Sequence, residues 1–244
     1  MAEIRHELSW SPSRARTFET CKRQYYWQYY GGWRGWSWDA PPEKRRAYML
    51  KLMTRMPILA GTIVHNAIAR YYDRLRRGEP LPGPKDLSSW CRDQMREAFA
   101  QSLGGRWQDR PKQFQHLAEH HYGEPEVAPR SEALAAYGKR YVDKMKASIE
   151  HFLASENTAP MRNAAPESWL AVDPVDDTFD RSRGFGWDGL HVHAFPDFAW
   201  RDPGGGVHIV DWKTGSPSEA DNFQVRIYTL AARELWGTPL PEQS

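Results

Sequence analysis

A Gly-rich turn, followed by an apolar run that ends in opposite charges, constrains this chain more than any other stretch. The turn is Asp202-Pro203-Gly204-Gly205-Gly206, and the run after it reaches Asp211-Trp212-Lys213-Thr214-Gly215. Leu190 to Arg201 and Val207 to Lys213 read as two strands of a hairpin around that turn. Strand side chains alternate between faces, so Asp211 and Lys213 share one with Val207 and Ile209, and Trp212 takes the other. Asp197, within Phe195-Pro196-Asp197, is then expected on the adjacent antiparallel strand, close enough to Asp211 to share a cation. Carboxylates can hold a divalent ion, and a lysine beside them can orient or deprotonate a water. An ordinary hairpin with a surface Asp/Lys pair fits the same residues, because D-x-K recurs by chance.

Other groups must therefore converge on this strand end. Gly61-Thr62-Ile63-Val64-His65 reads as the start of a helix whose apolar stripe is Ile63, Ala67, Ile68, Tyr71, Tyr72 and Leu75. His65 is expected in its first turn, where it is either structural or, if carboxylates face it, a neutral imidazole ligand. Downstream, Asp221 to Trp236 reads as a helix buried along Phe223, Ile227, Leu230, Ala231 and Leu235. Gln224 and Tyr228, at i and i+4, share a neighbouring face and could serve a reaction or simply form a surface pair.

The N-terminal part is basic and aromatic. Ser11-Pro12 supplies a helix cap and first position, and Gly31-Gly32 a stop. Ala15, Phe18, Cys21 and Tyr25 are expected to face the core. Arg14, Arg23 and Arg34 lie among Tyr25, Tyr26, Trp27, Tyr29, Tyr30, Trp33, Trp36 and Trp38. Such interleaving suits single-stranded nucleic acid, since cations take phosphates and rings take bases. The plainer expectation is that most of these rings are buried and two or three remain available.

Two periodic helices follow, one along Leu87, Trp90, Cys91, Met95, Ala98, Phe99 and Leu103, the other along Leu134, Tyr137, Tyr141, Met145, Ile149 and Phe152. His116, His120 and His121 between them lack the H-E-x-x-H order and cysteine partners of a zinc site. Trp169-Leu170-Ala171-Val172 reads as a strand, and Asp173, Asp176, Asp177 and Asp180 after it as solvated loop carboxylates, one of them a conceivable outer metal contact.

Charge is distributed unevenly. Residues 1–110 carry 20 Lys/Arg against 11 Asp/Glu (+9), and the remainder 13 against 20 (−7), within a net charge of +2. This suits a chain that grips a polyanion with one part and holds a cation with the other, though surface variation produces skews too. No apolar run approaches a membrane span, and Met1 to His6 has no signal-peptide core. With two cysteines there is no disulfide framework, so the cytoplasm is the expected setting.

Taken together, these blocks resemble the PD-(D/E)xK nuclease superfamily, and within it the RecB-like branch of helicase–nuclease domains and CRISPR-adaptation exonucleases. The resemblance rests on Ser11-Pro12-Ser13-Arg14 with Cys21-Lys22-Arg23-Gln24-Tyr25-Tyr26, Gly61 to His65, Pro196-Asp197, Asp211-Trp212-Lys213, and Gln224 with Tyr228 as Q-x-x-x-Y, in family order. It implies an α/β (α+β) restriction-endonuclease-like mixed sheet flanked by helices. One nuclease domain is expected: a helical part over 1–60, a motif helix over 61–80, a helical insertion over 81–160, and the catalytic sheet and its helix over 161–244.

The resemblance further implies that His65, Asp197, Asp211 and the Trp212 carbonyl bind Mg²⁺ or Mn²⁺, and that Lys213 positions or activates the attacking water. Gln224 and Tyr228, with Arg14 and Arg23, would hold DNA. An exonuclease or single-strand and end-directed nuclease in repair, recombination or defence is implied, with a helicase or other complex subunit as partner. The alternative is a non-catalytic DNA-binding or interaction subunit. Many RecB-like relatives hold an iron–sulfur cluster through one N-terminal and three C-terminal cysteines. Here no cysteine follows Cys91, so a cluster is not expected and Cys21 is expected in the core. The 16 residues after Tyr228 are fewer than the further strands of relatives need, so either the family core is trimmed here or another segment or a partner completes it.

Overall fold

The computed structural model describes residues 8–128, 130–175, 184–194, 196–215 and 219–239. In chain order, these include β1 (Ser9–Trp10), α1 (Pro12–Thr20), α2 (Lys22–Tyr26), α3 (Pro42–Leu52), α4 (Met56–Arg76), α5 (Pro84–Leu103), α6 (Ala118–Tyr122), α7 (Glu132–Ala154), α8 (Ala159–Arg162), β2 (Trp169–Val172), β3 (Phe185–Trp187), β4 (Leu190–Val192), β5 (Phe198–Arg201), β6 (Val207–Val210) and α9 (Glu219–Trp236). They form two compact units: residues up to 25 with those from 164 onward, and residues 26–163. Among the described residues, no helix is long and apolar enough to cross a membrane.

The 26–163 unit is built on α4, α5 and α7, each packed against the other two. The expected stripe on α4 is buried at Ile63, Ala67, Ile68, Tyr71 and Tyr72, each isoleucine contributing about 2 kcal/mol by leaving water. Facing it are Leu87, Cys91, Met95 and Ala98 of α5 and Tyr141, Met145, Ile149 and Phe152 of α7. Burial pushes the Cys91 thiol up to about 12.

The start of α4 differs from the sequence expectation. It begins at Met56 with Pro57 in its first turn, so Gly61 lies inside the helix and His65 falls in its third turn. The cap comes from far away: the Glu119 carboxylate, fully buried, accepts the Met56 N–H at 2.8 Å and the Tyr137 hydroxyl at 3.1 Å. A carboxylate there satisfies a helix-terminal donor and complements the positive end of the dipole. Two nearby histidines make contacts within the same unit. His116 stacks on Trp107 at 3.3 Å, and burial lowers its pKa to about 4. His120 Nδ1 lies 2.7 Å from the Ser102 hydroxyl.

In the other unit, Ser11 caps α1 by accepting the Arg14 N–H at 3.2 Å. The helix then breaks at Cys21, whose backbone is extended (φ −159°, ψ 105°), and α2 restarts one residue later. The break overturns the expected core face: Phe18 and Cys21 are exposed. Phe18 lies edge-on to Tyr25 at 5.2 Å, with the Lys22 ammonium 5.4 Å from its ring centre.

Leu190 to Arg201 is not one strand. Its first part, β4, pairs in parallel with β1 and antiparallel with β3, through a two-residue turn at Asp188 and Gly189, both at positive φ. Its last part, β5, is the middle strand of a separate antiparallel sheet in the order β2-β5-β6. Pro196 between them offers no N–H to a ladder, which suits a crossing from one sheet to the other. Phe195 lies outside the described residues, as do Asp176, Asp177 and Asp180.

The β5–β6 turn forms as expected and is held by its first residue. Asp202 accepts the Gly206 N–H at 2.9 Å and lies 2.7 Å from His208 Nε2. A Cβ at Gly206 would come within 2.7 Å of the Asp202 carboxylate, so this position has no room for a side chain. His208 in turn stacks on Trp200, its partner across the ladder, at 4.6 Å.

Candidate active site

The register of the β2-β5-β6 sheet sets the site. Val172 pairs with Phe198, and Phe198 with Val210, at one end of the sheet. One residue beyond those pairs, the three strands carry Asp173, Asp197 and Asp211. Residues opposite one another across antiparallel strands point to the same face, so all three carboxylates belong to one face of one sheet end. The ladder continues for one more bond, from the Asp173 N–H to the Asp197 carbonyl at 2.8 Å. Carboxylate oxygens of Asp173 and Asp197 lie within 4.8 Å of each other.

Asp173 is the residue that the sequence reading passed over as one loop carboxylate among four. The available signal was its position: Ala171-Val172-Asp173 repeats the pattern of Ile209-Val210-Asp211, an apolar strand closed by an aspartate.

On the same face, α9 brings Gln224 and Tyr228 to Asp211. Its buried residues are Tyr228, Ala231 and Ala232, with Ile227 and Leu230 partly buried. Phe223 and Leu235, expected in the buried stripe, are exposed, and Phe223 meets the edge of Trp10 at 6.1 Å. The buried stripe is thus rotated toward the Gln224/Tyr228 side. The reason is a polar anchor that hydrophobicity does not register: the Tyr228 hydroxyl donates to Asp211 Oδ1 at 2.8 Å, below a cluster of Phe185, Val192, Ala194 and Ala231 against which Ile209 packs.

Asp211 is the hub of a closed network. Besides the Tyr228 hydroxyl, its Oδ1 accepts the Gln224 amide at 3.1 Å, while Oδ2 lies 2.5 Å from the Lys213 ammonium. Lys213 also donates to Gln224 Oε1 at 3.0 Å, and the Gln224 amide reaches the Tyr228 hydroxyl at 2.5 Å. Burial, then the charge of Asp211, raises the Tyr228 pKa, so the phenol keeps its proton and remains a donor. Asp197 is fixed separately, its Oδ2 accepting the Trp212 N–H at 2.5 Å. Asp211 and Asp197 are therefore both oriented around one peptide.

This donor set fits a hard divalent cation. Asp173 and Asp197 bring carboxylate oxygens within 4.8 Å of each other, and Asp211 adds a third carboxylate at the same sheet end, its Oδ1 already accepting from Gln224 and Tyr228. The Lys213 ammonium offsets part of the negative charge, and its side chain is 43% exposed to solvent.

Arg14 on α1 donates to the Ser9 carbonyl at 2.8 Å, bracing the entry to the helix. Arg23 is exposed on α2. His65 is half-buried on α4, within the 26–163 unit.

A family model for the PD-(D/E)XK nuclease superfamily matches residues 9–243. No curated protein and no solved structure matched the chain. The match spans nearly the whole sequence, and the chain belongs to the PD-(D/E)XK nuclease superfamily. Its mixed α and β architecture agrees with that membership.

Proposed function

We propose, from membership of this superfamily, that the chain is a divalent-metal-dependent nuclease that hydrolyses DNA phosphodiester bonds at the Asp173/Asp197/Asp211 end of the sheet. The observation that carries the reading is the closed network on Asp211, which joins every residue of the D-x-K and Q-x-x-x-Y blocks in one set of hydrogen bonds. An ordinary hairpin with a surface Asp/Lys pair has no need of a buried tyrosine and a glutamine aimed at the same carboxylate.

In this reading Asp197 and Asp211 are the metal ligands, joined by Asp173. His65 and the Trp212 carbonyl are further ligands on the family pattern. A bound Mg²⁺ or Mn²⁺ would offset the charge that builds on the phosphate oxygens and acidify a water. Lys213 orients that water and steadies developing negative charge. Tyr228 and Gln224 act as positioning residues: they fix the rotamer of Asp211 and, through Gln224 Oε1, the reach of Lys213. Buried and committed to Asp211, the Tyr228 hydroxyl reaches the scissile strand only through that carboxylate. Arg14 and Arg23 are proposed contacts to the DNA backbone.

The RecB-like branch, end-directed cleavage in repair, recombination or defence, and a helicase or other complex subunit as partner rest on the order of the sequence blocks, and a cytoplasmic location rests on the low cysteine count.

The test is incubation of the purified chain with end-labelled single- and double-stranded DNA in Mg²⁺, Mn²⁺ or EDTA, beside Asp211→Ala and Lys213→Ala. Metal-dependent cleavage is expected to fall by at least about a thousandfold in each variant while DNA binding persists. Equal cleavage by the wild type and both variants would remove the site.

A further inference from the structure

We infer that the segment from Tyr26 to Leu52 is a stacking surface for single-stranded DNA, with Trp38 as its principal base contact. The inference rests on the nuclease reading for its choice of ligand, but on separate residues for its geometry.

The segment starts with a wide helical turn over Trp27–Gly31, runs through a loop to Ala40, and returns along α3. Its inner face is made of glycine. Gly31, Gly32 and Gly35 are buried, and the loop backbone lies directly on α3. A Cβ on Gly32 would sit 3.2 Å from the Tyr48 nitrogen, and one on Gly35 would come within 2.6 Å of the Tyr48 Cβ. At Gly32 and Gly35 the loop packs on the backbone of α3, with no side-chain layer between them in which the loop's own rings could be buried. The rings are therefore displayed outward.

None of the aromatic residues from Tyr26 to Trp38 is buried, against the expectation that most would be. Trp38 is 94% exposed and Tyr26 54%, and Trp27, Tyr30 and Trp36 are exposed as well. Part of this array is held rigidly: Trp33 meets Trp36 edge-on at 5.0 Å, and Trp36 meets the buried Tyr48 at 5.9 Å. Rings fixed in place lose little freedom when a base stacks on them.

Charge decides between occupants. Residues 26–52 carry five Lys/Arg and two Asp/Glu. Arg34, Lys44 and Arg46 are exposed among the rings, and the Lys51 ammonium lies 5.4 Å from the Tyr29 ring centre. A helix or a second copy of the chain would bury apolar surface and would have to desolvate these cations. A single strand uses both groups, phosphates on the cations and bases on the rings, without regard to sequence. A duplex, whose bases are already stacked, uses only the cations.

The experiment measures binding of the full chain, in EDTA to prevent cleavage, to fluorescent oligo(dT) of about 20 nucleotides and to a blunt duplex of equal length. Trp38 supports no buried contact, so Trp38→Ala tests the surface without threatening the fold. Oligo(dT) affinity is expected to fall about tenfold in Trp38→Ala, to recover largely in Trp38→Phe, and duplex affinity to change by less than about twofold. Arg46→Ala should lower the slope of log affinity against log salt by about one. Wild-type oligo(dT) affinity in Trp38→Ala, or an equal loss for the duplex, would overturn the inference, as would a concentration-dependent dimer that Trp38→Ala dissociates. Lys213→Ala, measured in parallel, separates this from the nuclease reading. If the wild type cuts nothing with any metal yet loses oligo(dT) binding with Trp38, the surface stands and the catalytic reading falls; if it cuts while Trp38→Ala binds normally, the reverse holds.

Discussion

The sheet end that carries Asp173, Asp197 and Asp211 and the aromatic shelf from Tyr26 to Leu52 solve opposite problems with the same backbone rules. At the sheet end, polar groups are drawn inward: a buried tyrosine, a glutamine and a lysine all bond to one carboxylate, and a peptide N–H bonds to the next. On the shelf, apolar groups are pushed outward, because glycines let the loop backbone lie against α3 and no side-chain layer remains to receive them. Residue type alone therefore predicts position poorly in both places. What predicts it is the space behind the residue. The polar corner has a helix face to lean on, and the aromatic shelf has only backbone.

The sharpest way to break that contrast is at Asp173, because its role is inferred from register and not from any motif. Asp173→Asn keeps the shape and removes the charge at the strand end. If it belongs to the metal corner, cleavage should drop by about a hundredfold and calorimetric Mn²⁺ affinity by about tenfold, with the folded state unchanged by circular dichroism. If Asp173 is only a solvated loop carboxylate, both numbers should stay within about twofold of the wild type, and the corner would shrink to Asp197 and Asp211.

How much of this was legible depended on whether the signal was local. Asp211 and Lys213 could be placed from the period of a strand, the Asp202–Gly206 turn from its glycines, and Gln224 with Tyr228 from the period of a helix. The stripes of α4, α5 and α7 followed from periodicity too. What escaped was set by distant residues. The start of α4 was read at Gly61 because its cap, Glu119, lies 63 positions away in sequence. Phe18 and Cys21 were placed in a core because an unbroken helix was assumed across Cys21, where the backbone is extended. Asp173 was hidden among neighbouring aspartates until the pairing of Val172 with Phe198 singled it out. Most of the rings around Trp38 are expected to be buried because aromatic rings usually are, and Gly31-Gly32 behind them reads in sequence only as a stop signal.

A smaller effect separates two carboxylates that resemble each other locally. Glu119, like Asp211, accepts a tyrosine hydroxyl and a second donor, but its partners are the first N–H of α4 and Tyr137, not a lysine and a glutamine. Glu119→Ala should therefore act on stability: the buried Met56 N–H and the half-buried Tyr137 hydroxyl lose their acceptor, and chemical denaturation should show a loss of about 2 kcal/mol. Activity per folded molecule should be retained. A denaturation midpoint equal to wild type would mean that water replaces the carboxylate fully, and that α4 needs no cap from α6.

The smallest expected effect is the most diagnostic of how the corner is wired. Tyr228→Phe removes one hydroxyl and leaves the packing against Ala231 and Ile209, so the fold should lose only about 1 kcal/mol. Asp211 would keep Gln224 and Lys213 but lose the donor that fixes its Oδ1. Cleavage should fall about fivefold to tenfold, mainly in kcat, because the loss is one of orientation and not of substrate contact. The pH profile supplies the control. The folded phenol pKa is raised, so this group stays protonated below its ordinary value near 10 and can contribute no change in charge there. The activity curve of Tyr228→Phe from pH 6 to 9 should therefore be lower than wild type but of the same shape. A displaced curve would mean that the hydroxyl tunes the protonation of Lys213 or of the attacking water, and that Tyr228 takes part in the proton transfer it is here assigned only to position.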